Sequence, residues 1–111
     1  MAIGPVKKDL VFLAGVKSPP LTEKSRRDAG FFLNRVQDGE MLTLPTSRPM
    51  PSIGPRIYEL RLSDDSGDWR VVYRINAEEI ILVEVFKKTT QETLKQVITS
   101  CKRRLSGFDA L

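Results

Sequence analysis

The stretch RIYELRLSDDSGDWRVVYRINAEEIILVEVFKK, residues 56–88, decides the fold. Its first part, Arg56–Ser63, alternates. Tyr58, Leu60 and Leu62 point one way, and Ile57, Glu59 and Arg61 the other, which is the period of a strand. Asp64-Asp65-Ser66-Gly67-Asp68 has turn chemistry. Trp69–Ile75 alternates again, with Trp69, Val71, Tyr73 and Ile75 against Arg70, Val72 and Arg74. Asn76-Ala77-Glu78-Glu79 supplies a second turn. Ile80–Phe86 is almost wholly apolar and predicts the most buried strand. Turns this short join strands that run in opposite directions, so the three form an antiparallel meander.

Working outward, residues 41–55 carry Pro45, Pro49, Pro51 and Pro55. Repeated proline excludes a helix and any central strand. The segment reads either as a rigid tether over the sheet or as a functional loop. Before it, Glu23 to about Asp38 has helical periodicity. Ala29, Phe32, Leu33 and Val36 make one apolar face, Thr22 is the N-cap, Leu21 a staple and Gly39 the stop. Phe31 lies off that stripe. Leu10-Val11-Phe12-Leu13-Ala14, closed by Gly15, is a short strand. After the meander, Thr89-Thr90-Gln91-Glu92 reads as a capping box. Leu94, Val97, Ile98, Cys101 and Leu105 form the stripe of a last helix that Gly107 ends. The order is strand, helix, loop, three strands, helix. It predicts one small α+β domain over residues 1–111, with an antiparallel sheet made of the N-terminal strand and the meander.

Composition removes several chemistries. The 111 residues suit a single domain. There is no histidine, so a Ser-His-Asp triad and histidine acid–base catalysis are excluded within the chain. A lone cysteine, Cys101, can form neither an intrachain disulfide nor a zinc cluster, and it fits a small core position. No cofactor or metal is expected. One cysteine also fits a reducing, cytoplasmic location. The N-terminus lacks the apolar run of a signal peptide, and no segment approaches the roughly 18 apolar residues of a membrane span.

The net charge is +4, with 18 Lys+Arg against 14 Asp+Glu. It is unevenly placed. Residues 86–105 hold six basic residues and one acidic. Lys87 and Lys88 stand between the last strand and the last helix, whose opening N–H groups favour a phosphate. Arg61 and Arg70 lie on facing strands. Strand parity puts Arg61 with Glu59, and Arg70 with Arg74, away from the apolar side of Trp69. Arginine forks match phosphate oxygens in shape and charge. The same residues also allow a structural reading, in which Arg61 or Arg70 pairs with Glu59 or Glu84. Lys102, Arg103 and Arg104 are expected to face solvent. Tyr73 is either core or a group that stacks on a base or moves a proton.

Five blocks in order carry a resemblance. They are Arg48-Pro49-Met50-Pro51-Ser52-Ile53-Gly54-Pro55; Tyr58-Glu59-Leu60-Arg61; Trp69-Arg70-Val71-Val72-Tyr73; Glu84-Val85-Phe86-Lys87-Lys88-Thr89-Thr90-Gln91; and Cys101-Lys102-Arg103-Arg104-Leu105. Together they resemble the phage-related HigB-like toxins of the RelE/ParE toxin–antitoxin superfamily. Val16-Lys17-Ser18-Pro19-Pro20 and Arg26-Arg27-Asp28-Ala29-Gly30 extend the match upstream. The resemblance implies a RelE-like fold and a toxin that cuts mRNA on the ribosome, by attack of a ribose 2′-OH on the adjacent phosphate. It implies neutralisation by a helix-turn-helix antitoxin encoded nearby. Its catalytic positions fall on Arg61, Arg70, Tyr73 and Lys88. RNA contacts are expected from Phe86, Lys87, Arg74, Lys102, Arg103 and Arg104. The family's second Lys falls here on Thr89, and its Pro at the helix start on Leu94. Two other functions stay open: a gyrase inhibitor of the ParE kind with no nuclease chemistry, and a decayed toxin acting only in its antitoxin complex.

Overall fold

The computed structural model describes residues 7–13, 20–89 and 93–111. The elements run β1 (Asp9–Phe12), α1 (Glu23–Gln37), β2 (Ser47–Pro49), β3 (Ile57–Asp64), β4 (Gly67–Ile75), β5 (Glu79–Lys87) and α2 (Thr93–Asp109). One five-stranded sheet has the order β1-β5-β4-β3-β2. The meander is as expected. β3 pairs β4, and β4 pairs β5, both antiparallel, through the two short turns. Gly67 closes the first turn with φ 134°, a conformation that side chains disfavour, and a Cβ there would lie 2.7 Å from Lys87 Cε.

Three features depart from the sequence reading. β1 pairs β5 in parallel, so the sheet is mixed rather than antiparallel. A short turn fixes direction only for the strands it joins, and β1 reaches its neighbour through everything in between. The proline-rich connection contains a strand of its own, β2, antiparallel to β3. It sits at the sheet edge, where proline is tolerated. The most continuously buried strand is β4, with Trp69–Arg74 all buried, whereas Glu84–Phe86 of β5 are half-buried. β4 is the middle strand of five and is covered on both faces.

The two helices cover opposite faces. On one face Ala29 and Leu33 of α1 and Val71, Leu82 and Val85 of the sheet line a common hollow. On the other, α2 runs back over β5 and β4. Its Ser100 donates to Glu84 at 3.1 Å, and its Asp109 takes both ends of the Arg74 fork at 2.7 and 2.9 Å. That last tie holds the helix past Gly107, which does not end it. The Cys101 thiol is fully buried on the stripe of α2, and burial pushes it up to about 12, with Glu84 adding to the shift. Of the expected capping box, residues 90–92 lie outside the described residues, as do residues 14–15 at the end of the expected first strand and residues 16–19 of the upstream match. No helix of the described residues is long and apolar enough to cross a membrane.

β5 carries a bulge. Val72 faces Glu84 and Tyr73 faces Leu82, which leaves Val83 as the extra residue. The α1 end is fixed differently. Thr22 caps the helix by accepting from the Ser25 N–H at 3.2 Å. The Asp64 carboxylate, at the end of β3, accepts from the hydroxyls of Ser25, Thr22 and Ser66 and from the Ser66 N–H. These donors, Ser25 first, then Ser66 and Thr22, hold the Asp64 carboxyl well below the usual carboxylate range. Its stabilisation is therefore complete above its unfolded value of about 3.9 and is lost as pH falls toward the depressed folded value. Asp64→Asn should lower the melting temperature at pH 7. It should also flatten the loss of stability between neutral pH and strong acid, as checked by thermal melts across that range.

Candidate functional site

Register places the chemistry-bearing residues. Arg61 stands directly opposite Arg70, and Arg70 directly opposite Phe86. Glu59 stands between Arg48 of β2 and Val72 of β4. Alternation therefore brings Arg48, Glu59, Arg61, Arg70 and Phe86 to one face, the α2 face. α2 covers the β5 side of that face and leaves the β2–β3 side open. Arg48 and Arg61 are half-exposed there, and Phe86 is half-buried.

Like charges directly opposite each other are unfavourable in a sheet. Arg70 bears most of that strain. Its side chain is only 6% exposed, and its Nε lies 3.6 Å from Glu59 Oε1, too far for a hydrogen bond. Its Nη1 donates to the Trp69 carbonyl at 2.9 Å. The Nε–H is buried without a partner. Burial pushes the Arg70 pKa down; Glu59 opposes that shift, while Arg61 and Arg48 add to it. The Arg61 guanidinium makes no hydrogen bond or ion pair among the described residues, although its backbone N–H donates to the Thr46 carbonyl at 2.8 Å. Glu59 is 4% exposed and accepts from Arg48 Nε at 3.0 Å. One carboxylate thus serves a cluster of three guanidinium groups. A net positive cluster of this kind suits an anion with several acceptor oxygens.

Several expected site residues are elsewhere. Tyr73 is 1% exposed, on the opposite face. Its hydroxyl bonds the buried Ser47 hydroxyl at 2.7 Å and its ring stacks on Tyr58. Burial raises its pKa against the opposing Ser47 bond. Tyr73 is a core residue with a satisfied hydroxyl. Arg74 is 8% exposed and committed to Asp109. Arg104 is turned inward, with Nη1 2.9 Å from both Glu84 Oε1 and the Val83 carbonyl at the bulge. Only Lys102 and Arg103 of the basic triplet face solvent. Lys87 pairs across from Trp69 and holds its ammonium 6.0 Å from that ring, on the α1 face. Lys87 and the arginines therefore do not form one cluster. Lys88 is exposed just past β5, its N–H bonded to the Asp68 carbonyl at the end of the arginine row.

Arg48 is the residue that sequence reasoning missed. Its parity had no meaning until β2 was known to be a strand. The apolar hollow on the other face, about 450 Å³, is lined by one charged residue, Arg26, and offers no acid–base pair. Among the described residues no three of His, Cys, Asp and Glu gather as a metal site would require.

Fold and site together define a small α+β domain whose open sheet face is lined with arginine. The family model described as phage derived protein Gp49-like (DUF891) matches residues 20–106, and the chain belongs to that family. It is a family of the RelE/HigB-type toxin class, associated with toxin–antitoxin systems. No curated protein matches the chain.

Tyr73→Phe tests the core assignment. It leaves the buried Ser47 hydroxyl without its partner, which costs about 1–3 kcal/mol. Denaturant melts should show that loss, while any activity per folded molecule stays at the parent level.

Proposed function

We propose that this chain is the toxin of a type II toxin–antitoxin pair and acts as a metal-independent endoribonuclease on mRNA at the ribosome. The observation that carries the reading is the facing pair Arg61 and Arg70. Arg61 is unpaired and Arg70 keeps a buried Nε–H without an acceptor. A phosphodiester against the half-exposed Arg61 supplies acceptors there, and the buried Arg70 opposite it adds positive charge. In the reaction the ribose 2′-oxygen bonds to the adjacent phosphorus and the bond to the 5′-oxygen breaks. The products are a 2′,3′-cyclic phosphate and a free 5′-hydroxyl. Negative charge grows on the non-bridging oxygens as the phosphorus becomes five-coordinate. Arg61 is a preorganised donor for that charge, beside the positive charge of Arg70. In this reading the 2′-hydroxyl proton passes to water, and Lys88, at the end of the row, protonates the leaving oxygen. Phe86, opposite Arg70, offers an apolar surface beside the phosphate for a base. Lys102 and Arg103 give the approach to ribosomal RNA a long-range pull.

Its partners in this reading are mRNA, the ribosome and a helix-turn-helix antitoxin encoded nearby, all in the cytoplasm. The antitoxin silences the chain by covering or distorting the arginine face. The exposed Phe31, 62% accessible on α1, adds apolar surface for such a complex.

Inducible expression in a bacterium, with primer extension on a reporter mRNA, tests the reading. New mRNA ends should appear on induction and vanish when the neighbouring antitoxin gene is co-expressed. Arg61→Ala should cut cleavage about 10²–10³-fold with little change in melting temperature, since Arg61 has no partner to strand. Arg61→Lys should restore little, because a point charge does not reproduce a fork. Intact mRNA alongside trapped gyrase–DNA complexes would replace the nuclease reading with the gyrase one, and neither product would mark a decayed toxin.

A further inference from the structure

Arg48 lies outside the residues assigned above, and its geometry is that of a binding group. Its Nε is taken by Glu59 at 3.0 Å, yet its side chain is 41% exposed. Its two terminal nitrogens have no hydrogen-bond partner among the described residues. A guanidinium held at Nε and open at its terminal nitrogens presents its fork outward. Arg70 is arranged differently: it is buried and its Nη1 is taken by the Trp69 carbonyl. It lies against the same Glu59 oxygen, and its Nε–H is left without an acceptor. Glu59 is the only buried carboxylate among the described residues. It is enclosed between the two guanidinium groups and is withdrawn from solvent, so it is poorly placed to take a proton from a ribose.

We propose that Arg48 is a further phosphate-holding residue of this groove, for single-stranded RNA backbone, and that Glu59 is the positioning residue that aims Arg48 at it. The proposal rests on the reading of this face as RNA-binding. It adds a second contact along the strand. β2 and β4 flank β3, two strand spacings of about 4.8 Å apart. The two side chains nevertheless converge on one Glu59 oxygen, at 3.0 and 3.6 Å from their Nε atoms, so Arg48 lies beside Arg70 at the same stretch of RNA backbone.

Binding of the full chain to a labelled single-stranded 2′-O-methyl RNA, which lacks the attacking hydroxyl, reads this apart from cleavage. Arg48→Gln should weaken binding about tenfold or more. The slope of log affinity against log salt should shrink by about 0.7, the share of one phosphate contact on a single strand. Arg48→Gln also strands Glu59, so the double variant Arg48→Gln/Glu59→Gln is the control for stability. Its melting temperature should recover and its salt slope should stay reduced. A double variant with parental affinity and slope would overturn the proposal, because Arg48 would then serve only to neutralise Glu59.

Glu59→Gln alone separates positioning from plain electrostatics. Removing a negative charge near phosphate should tighten binding if charge alone matters. A positioning role predicts weaker binding in a folded protein, and a tighter complex would overturn it. The outcomes also separate the two readings. Parental cleavage of mRNA with Arg48-independent binding removes this proposal and leaves the nuclease. Arg48-dependent binding without cleavage removes the nuclease and leaves the phosphate site.

Discussion

A carboxylate buried between guanidinium groups sets the terms for the rest of the molecule. Glu59 is 3% exposed and faces Arg48 and Arg70 on a sheet face that also bears Arg61. Charges withdrawn from water are tolerated only when paired and hydrogen-bonded. Here the pairing is incomplete by construction, since one acid meets three bases and one buried N–H has no acceptor. The fold tolerates this because its stability is supplied elsewhere, by an apolar core running from α1 through β4 and β5 to α2. The cationic face can remain under-neutralised without the domain depending on it.

The chain separates its cations into two groups by geometry. Arg74 and Arg104 bind α2 to the sheet, one through Asp109 and the other through Glu84 and the carbonyl of Val83. The bulge at Val83 shifts the β5 register between Leu82 and Glu84, and Arg104 bonds there. Because α2 is tied over β5, it stops short of β2 and β3. Of the second group, Arg48 and Arg61 therefore lie half-exposed on uncovered sheet, with Arg70 buried at its margin. The same residue type is structural under the helix and available beside it. What decides is a few ångströms of coverage, not composition.

Strand alternation made part of the site legible. Parity grouped Glu59 with Arg61 on one strand and Arg70 with Arg74 on the next, and the β3–β4 register then set the two groups on a common face. Parity also set Tyr73 on the apolar side with Trp69, but it gives a face and not what covers it, so the burial of Arg74 under α2 was not legible. Tyr73 faces α1 and Ser47, and Arg74 and Arg104 lie under α2. Lys87 and Lys88, adjacent in sequence, diverge: Lys87 extends over Trp69 on the α1 face, while Lys88 lies past the end of β5.

The sequence by itself determined the elements and their local order, since helices, short turns and alternating strands are written in spacings of two to four residues. It also determined that the chain has no histidine and a basic surplus, and with these the range of chemistry open to it. The tertiary structure alone decided that β1 runs parallel to β5, that Ser47–Pro49 forms an edge strand, and that Arg48 joins Glu59 and Arg70. These are contacts between segments far apart in the chain. Nothing in a local pattern specifies which distant edge a strand finds, so long-range pairing, helix coverage and buried ion pairs appear only once the whole core closes.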